Sequence, residues 1–179
     1  MRGSVDNVVI RHTAELDDAT LAAARSLCDA TFGDDFADAN WEHALGGVHA
    51  LRFEGERLIA HGALVARRFL HRGQSLRTGY VEAVVVATDR QRRGYGAAVM
   101  AVLHRYIERA YALGALASSD VGAALYLTMG WTRWTGPMAV LAPDGIRPTT
   151  GDDIFVRPVT ARLDPALPLV CDWRNGDMW

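Results

Sequence analysis

The chain has 179 residues, half of them hydrophobic, so it can enclose one core and we expect a single domain over residues 1–179. Its formal net charge of −2 gives no general attraction to nucleic acid or to an anionic membrane, and we expect neither as a partner. The two cysteines are far apart, the first residues contain no apolar h-region, and no apolar run is long enough to span a bilayer. These features predict a reduced, cytoplasmic setting.

The first part of the chain predicts a strand, two helices and an acidic loop. Residues 8–12 form the candidate strand, and Asp17 or Asp18 can cap a helix that ends near Phe32. The loop at 33–40 precedes a short helix at 41–45. The loop is either a solvated linker, with Asp38 as the N-cap of that helix, or a negative lip over a cationic substrate.

Turn-flanked apolar runs then predict antiparallel strands at 49–53, 57–69 and 76–86. The end of the last strand, residues 80–86, is β-branched and apolar apart from Glu82, which is typical of a buried strand. After a basic turn, one apolar helix face is formed by Val99, Val102, Leu103, Tyr106, Ile107 and Ala110. Gly114 is the candidate residue that ends this helix.

The turn between that strand and that helix is basic and rich in glycine. A helix N-terminus has unpaired N–H groups and the positive end of the dipole, and glycine lets the backbone approach a bulky anion closely. Arg90, Arg92 and Arg93 add positive charge. These features predict a pyrophosphate cradle, with a surface turn that is basic by chance as the alternative. No Gly-Lys-Ser/Thr follows, so a P-loop is excluded, and Val99 stands where a dinucleotide fingerprint has its third glycine.

The residues of the turn match the acyl-CoA motif Q/R-x-x-G-x-G/A, and through it the chain resembles the GNAT acetyltransferase superfamily: Gln91, Arg92, Arg93, Gly94, Tyr95 and Gly96. The resemblance implies an α/β GNAT fold and acetyl-CoA as co-substrate. It also implies that the strand before the motif splays and binds the pantetheine arm through Val84, Val85 and Val86, while the turn amides hold the pyrophosphate.

The second half predicts a strand at 116–118, a helix at 121–129 that Asp120 can cap, and strands at 131–134, 138–142 and 154–159. The simplest arrangement is a mixed central sheet that is mostly antiparallel, contains one βαβ crossover and is flanked by helices. The six histidines have no metal-ligand spacing, and we assign no metal.

Acyl transfer from a thioester to an amine needs a proton acceptor, donors for the oxyanion and a proton for the thiolate. Glu82 is the candidate base, because a cleft position avoids the cost of an unpaired buried charge; an edge position facing solvent is the alternative. The backbone N–H of Val84 is the candidate oxyanion donor. Tyr126 is the candidate acid if the GNAT fold brings its helix beside the sulfur, and otherwise a core residue.

The last residues predict a folded tail. A terminus usually frays, but two tryptophans within seven residues, Trp173 and Trp179, argue against fraying. A tail that folds back would present the Asp177 carboxylate and the terminal carboxylate of Trp179, two residues apart, to ammonium groups.

Fragments at 36–47, 79–82 and 171–179 resemble the aminoglycoside 2′-N-acetyltransferases, and the likeness runs from about Val9 to the end. It implies acetyl transfer from acetyl-CoA to the 2′-amine of an aminoglycoside, antibiotic resistance as the consequence, and a homodimer. It assigns the base role to Glu82 and the acid role to Tyr126. The implied sugar site is lined by Asp35, Asn40, Glu82, Ser118, Asp152, Asp153, Asp177 and the carboxylate of Trp179.

Two departures from these relatives concern substrate choice. Asn40 stands where several of them have an acid, and Ala117 where they have a serine. A charge-assisted hydrogen bond is worth roughly 1.5–3 kcal/mol, so losing a carboxylate weakens the attraction for a polycation. Kasugamycin, with fewer ammonium groups and a carboxylate of its own, is therefore a candidate beside gentamicin or tobramycin. Two other functions stay open: a GNAT acetyltransferase of another small amine, such as a polyamine or amino sugar, and a non-catalytic acyl-CoA-binding sensor.

Overall fold

A computed structural model describes residues 7–150 and 153–179 of the chain. It has two compact units: the first runs up to Val65 and resumes over Val81–Arg105, and the second comprises Ala66–Tyr80 and Tyr106–Trp179. Strands β3 (Arg57–His71) and β4 (Gln74–Val86) and helix α3 (Tyr95–Ala110) contribute residues to both units. The single-domain organisation stays a prediction. No helix within the described ranges is long and apolar enough to cross a membrane.

The first unit contains an antiparallel set of strands with two helices. Its other elements are β1 (Val8–His12), α1 (Asp18–Phe32), α2 (Asp38–Ala44) and β2 (Val48–Glu54). Strand β2 pairs with β1 on one side and with the first part of β3 on the other. Helix α1 begins where the Asp17 carboxylate accepts a hydrogen bond from the N–H of Thr20 at 2.8 Å, which confirms the predicted cap. Its buried face contributes to a core cluster with Leu51 and Leu58.

Close packing of α3 in this unit depends on Gly62 of β3. A Cβ added at Gly62 would lie 2.8 Å from Cγ1 of Val99 and 3.3 Å from Cδ1 of Leu103 and Cγ2 of Val84. Val99, Val102, Leu103 and Ile107 of the predicted apolar face are buried, but Tyr106 is 40% exposed and Ala110 is also exposed, so the prediction was wrong for these two residues. The glycine therefore lets α3 lie directly on the strand next to the end of β4.

The second unit contains the mixed part of the sheet. Its other elements are β5 (Leu113–Ala117), α4 (Asp120–Thr128), β6 (Thr132–Arg133), β7 (Met138–Ala142), β8 (Gly145–Thr149), β9 (Ile154–Pro158) and β10 (Leu169–Asp172). β5 runs parallel to β4 with Thr78 to Tyr80 opposite Leu113 to Ala115, and β4 then continues to Val86 beyond this register. β9 pairs antiparallel with β5 and β6, and β10 pairs antiparallel with β3 and parallel with β7. The mixed, mostly antiparallel α/β sheet with a βαβ crossover is confirmed.

The end of the long helix and the start of the crossover strand were predicted wrongly. Helix α3 ends at Ala110, and Gly114 lies inside β5 opposite Gly79. A Cβ at Gly114 would be 3.0 Å from the ring of Trp131 and 3.1 Å from Ile107, so this glycine serves helix-on-strand packing and does not terminate the helix. The predicted strand at 116–118 therefore begins earlier, and Ser118 follows it.

Four further differences concern the starts of two helices and two missed strands. Helices α2 and α4 begin at Asp38 and Asp120 themselves, with Ala37 and Ser119 as the capping residues. An acid in the first turn is favoured by the helix dipole as well as at the cap, so the sequence signal does not separate the two positions. β8 was missed because it contains Gly145 and Pro148, which disfavour strands, and β10 was missed because it has only four residues.

Candidate active site

The turn before α3 has the backbone shape of an anion cradle. Arg92 and Gly94 have φ values of 57° and 85°, and α3 begins at the next residue, Tyr95. Left-handed residues in such a turn bring successive N–H groups to one concave side, and the first N–H groups of a helix have no acceptor within it. Gln91, Arg92 and Gly94 are exposed, so the concave side is open to a ligand.

Two side chains define the edges of this cradle. The Nε2 of Gln91 donates to the carbonyl of Val86 at 3.3 Å and so ties the turn to the end of β4. Arg90, by contrast, does not add free positive charge as expected: it is paired with Glu54 and with Asp89, each at 2.6 Å. The cationic charge near the turn therefore rests on Arg92 and Arg93, which are exposed.

A kink lies in β4 between the candidate base and the candidate oxyanion donor. Ala83 has a φ of 51°, in the left-handed region that costs a residue with a side chain on the order of 1–3 kcal/mol. Regular alternation is broken here, and Glu82, Ala83 and Val84 are all half-buried between the buried Val81 and Val85. The intermediate burial of Glu82 fits the predicted cleft better than a fully exposed edge position.

Besides Glu82, the first unit contains two further residues predicted to line the sugar site, Asp35 and Asn40. Asp35 is exposed in a short 3-10 turn, Gly33–Asp35. Asn40 is half-buried in α2, and its Oδ1 accepts a hydrogen bond from the N–H of Ala37 at 2.9 Å, which stabilises the start of that helix. Asp38, also in the acidic stretch, is paired with Arg25 at 3.1 Å but is almost fully exposed.

Tyr126 lies in α4 of the second unit and is 8% exposed. Its ring lies edge-on to Trp131 at 6.3 Å and tilted to Phe155 at 6.1 Å between centroids. Burial raises the pKa of Tyr126 to about 12, so the phenol keeps its proton at neutral pH. It can therefore donate a hydrogen bond to a developing anion.

The polar residues near β5 and β9 form hydrogen bonds and an ion pair among themselves. The hydroxyl of Ser118 donates to the carbonyl of Ser119 at 2.8 Å, and its N–H donates to the carbonyl of Asp153 at 3.0 Å. The carboxylate of Asp153 forms an ion pair with Arg133 at 2.7 Å, which reduces its attraction for a cationic substrate. Asp152 lies outside the described residues.

The C-terminal tail is folded, as two tryptophans predict. Trp179 is 4% exposed, its Nε1 donates to Oγ1 of Thr149 at 2.7 Å, and its ring lies edge-on to Phe69 at 5.3 Å. Asp177 is exposed, and its carbonyl accepts a hydrogen bond from Nε of Arg174 at 2.6 Å. Trp173, however, is 48% exposed and does not belong to the core.

A separate cavity of about 590 Å³ in the second unit contains none of the predicted site residues. It is open and is lined by residues at the β3–β4 turn and near 160, including Arg72, Leu76 and Arg162. Among the described residues, no cluster of histidine, cysteine and acidic side chains could hold a metal ion.

The sequence matches the model of the acetyltransferase (GNAT) domain over residues 13–134. The chain belongs to the GNAT family. An aminoglycoside 2′-N-acetyltransferase from Mycolicibacterium fortuitum is 46% identical over 174 residues, which cover 94% of this chain and 89% of that protein. This GNAT domain is thus an acetyl-CoA-dependent N-acetyltransferase, which favours an enzyme over a non-catalytic sensor.

Solved structures agree with this GNAT fold. Escherichia coli ElaA is 17% identical with a TM-score of 0.60, over 84% of this chain and 97% of that one. An aminoglycoside 6′-N-acetyltransferase complexed with coenzyme A is 11% identical with a TM-score of 0.61, over 87% and 99%. At these identities the likeness shows the fold alone.

Sequence reasoning missed a hydrogen-bonded series of polar side chains in the first unit of this GNAT domain, formed by the half-buried Thr13 and the buried His49 and His61. Nε2 of His49 lies 2.8 Å from Oγ1 of Thr13, and Nδ1 of His49 lies 2.9 Å from Nε2 of His61. Nδ1 of His61 lies 3.0 Å from the carbonyl oxygen of Ala83, at the kink in β4. Burial lowers the pKa of His49 to about 4 and that of His61 to about 3, so both rings are neutral at pH 7.

A signal for this pair was present in the strand pattern. In the β2–β3 ladder, His49 is opposite Ala63 and His61 is opposite Leu51. The two histidines are therefore diagonal neighbours on one face of an antiparallel pair. A search for polar residues of equal parity in the two predicted strands would have found them.

Proposed function

We propose that this protein transfers an acetyl group from acetyl-CoA to the 2′-amine of an aminoglycoside. The observation that carries the proposal is the 46% identity to an aminoglycoside 2′-N-acetyltransferase over 94% of the chain. Supporting features are the cradle at Gln91–Gly96, the half-buried Glu82 beside a kinked backbone, and the folded tail that ends at Trp179. Modification of that amine would remove a positive charge and confer resistance. The homodimer that the resemblance implies stays a prediction.

In the proposed reaction, Glu82 accepts a proton as the 2′-amine attacks the thioester carbonyl, either directly or through a water molecule. The N–H of Val84 donates a hydrogen bond to the oxygen that becomes negative, and the turn amides with Arg92 and Arg93 hold the pyrophosphate. The carbon–sulfur bond then breaks, and Tyr126 donates to the departing thiolate. A thiol has a pKa of roughly 8.5, well below that of the buried phenol, so Tyr126 contributes first as a hydrogen-bond donor.

The experiment that tests the proposal is an acetyl-transfer assay with purified protein, acetyl-CoA and a panel of aminoglycosides, followed by NMR of the product. We expect acetylation at the 2′-amine. A 2′-hydroxy analogue should not be turned over, because the acceptor nitrogen is missing. If the protein acetylates polyamines or simple amino sugars but no aminoglycoside, the proposal is contradicted, and the protein is an acetyltransferase of another small amine.

Kasugamycin is the second candidate substrate, and the charge around the predicted sugar site favours it. Asn40 is neutral and its Oδ1 accepts a backbone hydrogen bond, and Asp153, another residue predicted to line the sugar site, is paired with Arg133. A site with fewer available carboxylates attracts a polycation less. We expect a higher kcat/KM for kasugamycin than for gentamicin or tobramycin. Equal or better turnover of the latter two would reject this preference.

Tyr126→Phe tests the donor to the thiolate. We expect kcat to fall about 10- to 100-fold, at or below the lower limit of general-acid effects, because the raised pKa of Tyr126 makes full proton transfer unfavourable. Coenzyme A affinity, measured by calorimetry, should change little. Tyr111→Phe is the control, since Tyr111 is a half-buried phenol against Gly79 of β4. Loss of coenzyme A binding in Tyr126→Phe alone would show that Tyr126 has a structural role.

A further inference from the structure

The kink at Ala83 needs a partner that holds it. An alanine in the left-handed region persists only where its surroundings fix it. The carbonyl oxygen of Ala83 is hydrogen-bonded to Nδ1 of His61, a completely buried side chain, at 3.0 Å. His61 is itself fixed, because it lies within the paired part of β3, immediately before Gly62, on which α3 packs.

The protons in the buried chain have one consistent order. A carbonyl oxygen only accepts, so the hydrogen of His61 lies on Nδ1, and Nε2 of the same neutral ring is an acceptor. Nδ1 of His49 must then donate to His61, which leaves Nε2 of His49 as an acceptor, 2.8 Å from Oγ1 of Thr13. The Thr13 hydroxyl also lies 3.2 Å from the carbonyl oxygen of Gly47, but that oxygen already accepts from the N–H of Thr13 at 2.9 Å, so the shorter contact to His49 takes the proton. The N–H of Gly46 donates to that hydroxyl oxygen at 2.9 Å. Every donor therefore points along the chain toward Ala83.

We propose that His61 is a positioning residue for acetyl transfer, which holds the Ala83 carbonyl so that Glu82 and Val84 present their catalytic groups correctly. The inference rests on the proposed roles of those two residues. His61 does not touch the reacting atoms in this scheme; it acts through the backbone. His49 and Thr13 keep its ring in the tautomer that can donate.

The pair formed by His49 and His61 also lies against helix α2, which contains Asn40 of the predicted sugar site. The ring of Trp41 in α2 lies 6.4 Å from that of His49 and 6.2 Å from that of His61 between centroids. Trp41 follows Asn40, which is predicted to line the sugar site. The histidine pair thus contacts both the helix that presents Asn40 and the strand that presents Glu82.

Two substitutions at His61 separate positioning from space filling. His61→Asn keeps a donor near the place of Nδ1, whereas His61→Leu keeps the apolar volume and loses the donor. We expect kcat of His61→Leu to fall about tenfold, with KM for acetyl-CoA within about twofold, and His61→Asn to recover most of kcat. In chemical denaturation the order should reverse, with His61→Leu the more stable variant, because a buried amide is poorly satisfied. If kcat follows stability instead, so that His61→Leu exceeds His61→Asn, His61 only fills space and the proposal is overturned.

The matched control is His71→Leu. His71 is 3% exposed, its Nδ1 donates to the carbonyl of Pro168 at 3.0 Å, and its Nε2 accepts from the N–H of Asp164 at 2.9 Å. It is thus a buried histidine between two backbone groups, in the second unit and outside the proposed machinery. We expect His71→Leu to lower stability and leave kcat unchanged. An equal loss of kcat in His71→Leu would show a general effect of destabilisation and overturn the proposal.

A measurement on the unliganded wild-type protein is independent of activity. Two-bond ¹H–¹⁵N correlation spectra at neutral pH distinguish the tautomers of a histidine. We expect His61 and His49 both to carry the proton on Nδ1. A proton on Nε2 of His61, or a charged ring, would overturn the inference even if the enzyme is active. A wild-type protein that acetylates no amine would instead reject the proposed function, while the spectra still report on the His61–Ala83 contact.

Discussion

Glu82→Gln is expected to lower kcat/KM for the amine substrate by about 10²–10⁴-fold, the range of general-base effects. The amide has almost the same shape as the carboxylate but accepts no proton at neutral pH. Because the side chain is half-buried and not in the core, the fold should tolerate the change. Coenzyme A affinity should be preserved, since the cradle lies at Gln91–Gly96, beyond the end of β4.

The pH dependence of kcat/KM supplies the decisive measurement for Glu82. In the wild-type enzyme, the rising limb combines deprotonation of the base and of the amine; in Glu82→Gln only the amine remains, and rates should keep rising toward its pKa. Glu56→Gln, an exposed acid in the β2–β3 turn of the same unit, is the control and should leave the profile unchanged. A Glu82→Gln enzyme with wild-type rates and profile would exclude Glu82 as the base.

Local patterns account for the parts that the sequence predicts well. The apolar spacing from Val99 onward correctly places Val102, Leu103 and Ile107 in the core, though not Tyr106 or Ala110, and the Gln91–Gly96 motif lies at the start of that helix as expected. These signals depend on residues within a few turns of each other, so no tertiary information is needed. The strands β2, β3 and β4 are likewise found within three residues of their predicted bounds.

The features that a linear reading missed are set by distant partners. Arg90 has the charge of a phosphate ligand, but Glu54, 36 positions earlier, is its partner in the fold. The kink at Ala83 has no glycine to announce it, and the contact at its carbonyl comes from His61, 22 positions earlier. Gly114 was predicted to end the helix because it follows the apolar helical pattern. In the structure it lies in β5, where it pairs with Gly79 of β4. Long-range hydrogen bonds and packing decide each of these cases.

Arg67 is expected to be the side chain on which the folded tail depends most. Its Nε donates to Oδ1 of Asp172 at 2.7 Å, and its Nη2 donates to the carbonyls of Asp172 and Met178 at 2.9 and 2.8 Å. The guanidinium also lies over the rings of Tyr80 and Phe69, at 4.7 and 5.2 Å. Arg67→Met keeps much of the volume but removes every one of these donors, and breaking a buried ion pair costs about 3–5 kcal/mol. Asp172 is 38% exposed, so we expect a smaller loss in the free energy of unfolding, about 2–4 kcal/mol.

Urea denaturation measures this loss, and carboxypeptidase digestion shows whether the tail is released first. Trp179 is protected by burial in the wild type, so its release should be slow there and fast in Arg67→Met, with a raised KM for the amine if the tail lines the sugar site. Arg68→Met is the matched control, because Arg68 is the adjacent residue of β3 and its side chain is exposed. A larger effect at Arg68 than at Arg67 would contradict the anchoring role. If Arg67→Met lowers stability but leaves Trp179 protected, Arg67 stabilises β3 and β10 generally, and the tail is held by Thr149 and Phe69 instead.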